Sequence, residues 1–384
     1  MTTVRMTTAV MTHPRRAPLA RRLAQRLGTP CVVADPEPAG RPSALRTSVE
    51  AWSRATGDAT HHLVVQDDIE PSPALLSTAQ EAAERFPEQA VAFYTNWDCR
   101  NASAVRLAAL AGAGWVPAID GEYTPTLALL LPARHARGFA RYAQRLVPTH
   151  TDDDEVMTEY LAAQGVPVLL SVPNLVEHLG VTSIAGNDLE RERRACCYLP
   201  DQVPAPRVLT GFTAVPHFRA GQVRVLVRGD GRSPRWASTA WTTANESLGA
   251  DIARLGDGWR AWIGRNPDFT VLADRFGAQP LRSLWAAAFL LGHAARTLRP
   301  SRGPAESLRS EALRTLAVGG LLTLTSAAGA EEAAHRLHLL ADSAARSGDA
   351  AAASRGSVAR VREEPGGSSV RTSKGECDAP HHRD

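Results

Sequence analysis

The stretch HHLVVQDDIEP, His61 to Pro71, decides how this chain is read. Leu63, Val64 and Val65 form an apolar run of the kind that ends a buried strand. Two adjacent carboxylates, Asp67 and Asp68, follow at once. Like charges side by side at the edge of a core repel each other and lose hydration. A turn in water tolerates them, with one serving as N-cap of the next helix. A bound cation accounts for them better, because the strand that delivers them is so apolar.

Working outward from that stretch, strands and helices alternate on a short spacing. Residues 8–12 (TAVMT) predict a first strand, broken at His13-Pro14. Leu19, Leu23 and Leu27, four apart, predict an amphipathic helix over 18–28 that stops at Gly28. A strand over 30–35 places Asp35 at its carboxyl end, and a helix over 44–56 precedes the HLVVQDD strand. A helix over 71–86 with proline near its start and a strand over 90–97 continue the pattern. Gly112, Gly114, Pro117 and Gly121 make 98–124 read as mainly loop. Then come a strand (126–132), a helix (133–146), a helix with the acidic start TDDDE (149–165), a strand (166–173) and a loop over 174–187. This alternation predicts an α/β domain with a mostly parallel sheet flanked by helices, over residues 1–200.

Residues 200–207 (PDQVPAPR) read as a linker. Beyond it, 222–229 alternates polar and apolar like an exposed strand, and from about 238 the pattern turns helical. The segments 281–298 and 307–324 are expected to pair, giving a mainly helical C-terminal region over 201–346. Residues 347–384 are rich in Ala, Ser, Gly and Arg and are expected to be a disordered tail.

Composition narrows the function classes. The chain has 384 residues and a formal net charge of +3. Lys374 is the only lysine, so the arginine excess reflects a coding bias, and no basic block interleaved with aromatics points to nucleic acid. Five scattered cysteines fit neither a disulfide framework nor a structural zinc site, and the Cys196–Cys197 pair reads as two ordinary thiols. The N-terminus lacks the apolar stretch of a signal peptide. The uncharged segment 315–330 falls short of the ~20 residues a bilayer span requires. A cytoplasmic protein with no integral membrane segment is expected.

In open α/β sheets, ligands bind outside the carboxyl ends of the strands. Asp35, Asp67 and Asp68, the Asn96–Asp98 region, and His178 all fall at such ends. An oxygen-rich set with one imidazole suits Mg²⁺ or Mn²⁺.

The order of VVQDDIEP, AVAFYTNW, TLALLLPARHARGF, TDDDEVMTEYL, VPVLLSVP and PNLVEHLGVTS resembles a family. It is similar to GT-A-fold, Rossmann-like nucleotide-sugar glycosyltransferases, and within them to the family 25 group of lipopolysaccharide and collagen galactosyltransferases. The resemblance covers roughly residues 8–190 and departs from the family at Gln66, where many members carry an acid. It implies transfer of a sugar from a nucleotide-sugar, a UDP-sugar first among the candidates, to an acceptor hydroxyl. Asp68 and His178 would hold the Mn²⁺ or Mg²⁺, Asp67 would reach the ribose or stand behind the metal's ligands, and Asp35 and Arg15 or Arg16 would lie along the nucleotide. An inverting transfer needs a carboxylate base, and the TDDDE run offers Asp153 or Asp154. The same run also suits a helix start, with Asp152 and Glu155 at capping-box spacing. Two rival functions remain: a metal-dependent phosphoesterase using Asp67, Asp68 and His178, and an inactive nucleotide-sugar-binding or scaffold protein.

Overall fold

A computed structural model describes residues 3–181, 184, 192–229, 235–299 and 304–362. Its centre is a seven-stranded sheet formed by β1 (Met6–Thr12), β2 (Val32–Ala34), β3 (His61–Gln66), β5 (Ala90–Ala92), β6 (Trp115–Pro117), β7 (Ala128–Pro132) and β8 (Val168–Ser171). A two-stranded ribbon pairs β4 (Ile69–Pro71) with β9 (Val176–His178). The order across the main sheet is β2-β1-β3-β7-β5-β8-β6, with β7 and β6 running against the other five. The expected α/β architecture with a mostly parallel sheet is therefore present.

The central strands bury both faces, so their residues divide by parity. In β3, Leu63 and Val65 enter the cluster under α1 (Ala17–Arg26) and α3 (Leu75–Arg85). Val64 enters the cluster on the opposite face, under α2 (Ala44–Ser53), α4 (Arg100–Ala111), α5 (Ala133–Ala143) and α6 (Asp153–Ala163). This explains why VVV-type runs, rather than alternation, mark these strands.

Helix α4 overturns the loop expected over 98–124. Asn101 through Ala111 are all buried in it. Burial on every side removes the polar face that gives a helix its sequence period, so the segment carries no amphipathic signal. Gly112, read as a loop residue, is its C-cap in the left-handed conformation (φ 72°).

The C-terminal region is built from an antiparallel sheet, β10 (Ala214–Arg219), β11 (Gln222–Arg228) and β12 (Trp236–Ala240), followed by helices. These are α7 (Ala244–Leu248), α8 (Ile252–Ile263), α9 (Asp268–Phe276), α10 (Ala278–Leu298), α11 (Glu306–Gly319), α12 (Ala327–Glu332) and α13 (Ala334–Arg362). The helical pattern thus starts later than expected, because 236–240 closes the small sheet. Helices α10 and α11 both pack on α13 more than on each other. One hydrophobic cluster runs from Ala9 to Ala351, with α4 between the main sheet and α10, α11 and β10. The linker near residue 200 is itself bound: Gly114 N–H donates to the Arg207 carbonyl (2.9 Å), and Arg207 Nη1 donates to the Ala111 carbonyl (2.7 Å).

The tail expected to be disordered from Ser347 begins as helix. Residues 347–362 continue α13, with Ala351 and Ala352 buried and Asp349 paired to Arg299 (2.7 Å). A Cβ at Gly348 would fall on the Phe289 carbonyl, and one at Gly292 on the Ala345 carbonyl, so α10 and α13 touch backbone to backbone. The small residues that suggested disorder are what allow this approach. Residues 363–384 lie outside the described residues. No helix among the described residues is long and apolar enough to cross a membrane.

Candidate functional site

From β1 the chain turns to β2 and from β3 to β5, in opposite directions along the strand order. Between the carboxyl ends of β1 and β3 the connections diverge, which opens a crevice at that point. A cleft of about 810 Å³ lies there, and its lining includes Arg16, Asp35, Asp67, Asp68, Asp153, Asp154 and His178. Six positions singled out from the sequence as site residues thus come together with Arg16. Arg15 is the exception: it is exposed and outside the lining, while its neighbour Arg16 enters the cleft.

The β1–β3 wall carries the acid pair. Asp67 and Asp68 are 5% and 7% exposed. Thr12, the last residue of β1, donates its hydroxyl to Asp67 Oδ2. Arg16, from the short 3-10 turn Pro14–Arg16, places Nη1 2.7 Å from Asp68 Oδ2 and 3.3 Å from Asp67 Oδ1. Burial, with the Asp68 charge beside it, raises the Asp67 pKa against the opposing help of Thr12 and Arg16. Asp68 Oδ1 is buried and has no hydrogen-bond partner among the described residues.

His178 reaches this wall through the ribbon. The segment after β8, expected to be loop, pairs as β9 with β4, and the register sets His178 opposite Ile69, next to Asp68. Its Nε2 lies 3.6 Å from Asp68 Oδ2. Gly180 N–H donates to Nδ1 (3.0 Å), which assigns the neutral ring's proton to Nε2. Burial lowers the His178 pKa, and the Asp68 charge recovers only part of the loss. Of the expected PNLVEHLGVTS segment, Thr182 and Ser183 lie outside the described residues.

A second wall is the start of α6. Asp152 occupies the N-cap position but makes no side-chain capping bond, so the capping box expected from Asp152 and Glu155 is not formed. Asp154 is half-buried and accepts from the Glu155 N–H (2.8 Å); burial raises its pKa. Asp153 is 4% exposed. Its Oδ1 accepts from the Thr126 hydroxyl (3.3 Å). Burial first, and then the Asp154 charge, push its pKa up to about 7.

Gln66 connects the two walls. Its Nε2 lies 3.4 Å from Thr126 Oγ1, the hydroxyl that serves Asp153. The amide at the position where the resemblance leads one to expect an acid thus adds no negative charge beside Asp153.

Asp35 lines the cleft, yet its carboxylate is largely engaged. Arg46 grips it at both oxygens (2.7 and 2.8 Å), and Glu37 N–H donates to Oδ1 (3.0 Å). Burial pushes its pKa up, but these hydrogen bonds and the Arg46 charge outweigh it and hold the pKa below the usual value. Asp35 chiefly fixes the start of α2, where Ser43 Oγ caps the Arg46 N–H (3.1 Å).

Asn96 and Asp98, flagged as a region, also line the cleft, as do Thr12, His13, Tyr94, Thr126, Arg193 and Arg219, none of which the sequence marked. Arg219 comes from β10 in the region without motifs, and its Nε lies 3.5 Å from Asp98 Oδ2. No spacing rule connects positions more than a hundred residues apart, so only the contact of β10 with α4 reveals it. Among the described residues, ten carboxylates and three arginines line the cleft.

The chain matches no protein-family model and no curated protein.

Proposed function

We propose that the chain is a glycosyltransferase that moves a sugar from a nucleotide-sugar to an acceptor hydroxyl. The observation that carries this reading is Asp153: a buried carboxyl with a pKa of about 7 on one wall of a cleft whose other wall holds the Asp67–Asp68 pair. A general base works best when its pKa lies near the operating pH. The two walls thereby divide the labour of such a transfer, with charge handling on one side and proton removal on the other.

Among the described residues no three carboxylate, histidine or cysteine side chains converge on one point, so a hard divalent cation would take Asp68 and His178 from the protein and complete its shell with diphosphate and water oxygens. Among the described residues Asp68 Oδ1 is a buried acceptor without a partner, and carboxyl groups outnumber arginines in the cleft lining, which favours a diphosphate that arrives with a cation. Asp68 would anchor Mn²⁺ or Mg²⁺. His178 would join it once the proton leaves Nε2, at the cost of the Gly180 bond. When bound, such an ion neutralises charge that develops on the departing diphosphate. Asp153 accepts the acceptor's hydroxyl proton, Thr126 orients the carboxylate, and the α6 start holds it against the cleft. A UDP-sugar donor and a cytoplasmic location belong to the same proposal.

The test is calorimetry with UDP and GDP, each with and without Mn²⁺, followed by donor turnover over a panel of nucleotide-sugars. Binding of one nucleoside diphosphate together with Mn²⁺, and turnover of a sugar donor of that nucleotide, are expected. Absence of binding by either nucleotide, with and without Mn²⁺, would sink the reading.

A further inference from the structure

Arg16 holds the point at which the proposed cation's charge is needed. Its Nη1 bridges Asp68 Oδ2 (2.7 Å) and Asp67 Oδ1 (3.3 Å). All three side chains are largely withdrawn from water, with 15% of the Arg16, 5% of the Asp67 and 10% of the Asp68 side chain exposed. Two adjacent carboxylates at that depth need a counter-charge, and the guanidinium supplies it. The pair is unequally satisfied. Asp67 accepts from Thr12 on one oxygen and from Arg16 on the other, whereas Asp68 Oδ1 has no partner among the described residues. A divalent ion on Asp68 would face the Arg16 charge across a few ångströms of poorly hydrated space, where like charges oppose each other strongly. A diphosphate arriving with the ion reverses the balance, because a guanidinium pairs with phosphate oxygens through its planar fork.

We infer that Arg16 is an exchangeable counter-ion: it surrenders Asp68 to the cation only when it can take the nucleoside diphosphate in return. The cation and the nucleotide then bind as a pair, and the coupling is reciprocal by linkage. The acid pair stays partly neutralised in the unloaded protein, so free metal alone binds the site weakly. This inference rests on the nucleotide-sugar reading above and concerns how that site is loaded.

The experiment measures Mn²⁺ affinity by electron paramagnetic resonance and calorimetry, without nucleotide and with saturating UDP or GDP, in the full chain. In the wild type, Mn²⁺ alone should bind weakly and the nucleotide should tighten it. Arg16→Gln should tighten Mn²⁺ alone by about tenfold and shrink the enhancement by nucleotide by a similar factor, within the usual range of coupling between sites. Arg16→Lys keeps the charge without the fork. It should leave the affinity for Mn²⁺ alone as weak as in the wild type while losing part of the nucleotide enhancement, and it serves if the Gln variant fails to fold. An unchanged or weaker affinity for Mn²⁺ alone in Arg16→Gln would overturn the exchange, as would a full nucleotide enhancement in Arg16→Lys. A wild type that binds nucleotide but takes Mn²⁺ equally well with and without it would also overturn the exchange while leaving the nucleotide reading intact. If neither UDP nor GDP binds in any arm, the nucleotide reading itself fails and the exchange goes with it.

Discussion

The cleft rim and the α10–α13 pair are both buried, yet they bury opposite things. At the rim, Asp67, Asp68 and Asp153 are withdrawn from water as carboxylates. Between α10 and α13, Gly292 and Gly348 let backbones meet, and apolar side chains fill the rest. Burying a charge works against folding unless it is paired, whereas close apolar packing favours it. Where its carboxyl groups lack a counter-charge the rim therefore works against stability, and the helix pair adds to it. The single hydrophobic cluster through α4 is the physical link between them.

The sharpest way to break this comparison is Asp153→Asn. Donor turnover should fall ~10²–10⁴-fold, the range for loss of a general base. Wild-type turnover should rise with pH to a plateau above about 7, because the base acts deprotonated. Stability should move the other way. A carboxyl whose pKa is raised in the fold from 3.8 to about 7 contributes its full stability below the unfolded value and loses it as pH rises through that window. At ~1.36 kcal/mol per unit, that loss is on the order of 4 kcal/mol above pH 7 at most. Asn escapes it, so the variant's melting temperature should exceed that of the wild type at pH 8 and approach it near pH 4. A less stable variant at pH 8 would mean that Asp153 is there for packing, and the contrast between the regions would collapse.

The next largest effect belongs to the helix pair. Gly292→Val places side-chain atoms where the Ala345 carbonyl lies. Overpacking of this kind costs ~1–3 kcal/mol, and more where backbone must move. Denaturant titration should show the loss at every pH, unlike the pH-gated gain of Asp153→Asn. Nucleotide binding by the folded fraction should persist.

Truncation tests where the supporting region ends. A chain stopped after residue 346 loses the Arg299–Asp349 pair and the buried Ala351 and Ala352. The expected loss is ~1–2 kcal/mol by apolar burial, read as a lower melting temperature. A chain stopped after Arg362 should melt with the full-length protein. Equal melting of all three would return residues 347–362 to the status of a dispensable tail.

The smallest effect is assigned to Arg15→Ala. Exposed and outside the cleft lining, it should change stability by less than ~0.5 kcal/mol. UDP binding should be unchanged. A clear loss of UDP binding would show that the cleft extends past Arg16.

Much of this molecule was legible in the order of its residues. A short apolar run with β-branched residues, such as Leu63–Val65, suits a strand buried on both faces, and the carboxylates after it then emerge at the strand's end. Local chemistry of that kind placed Asp35, Asp67, Asp68 and His178 at strand ends, the resemblance pointed to Asp153 and Asp154, and the fold brings all six to one cleft. It erred where burial erased the pattern. Helix α4 lost its polar face, and the segment around Gly348 resembled disorder because its partners on α10, Phe289 and His293, lie more than fifty residues away. Charge balance was equally out of reach. Whether Arg15 or Arg16 meets the acid pair depends on the turn after β1, and whether Asp152 caps a helix while Asp153 is buried depends on what covers α6. Periodicity is a property of neighbours along the chain. The pKa of Asp153, the counter-ion of Asp68 and the reach of Arg219 into the cleft are set by neighbours in space, and those exist only once the chain has folded.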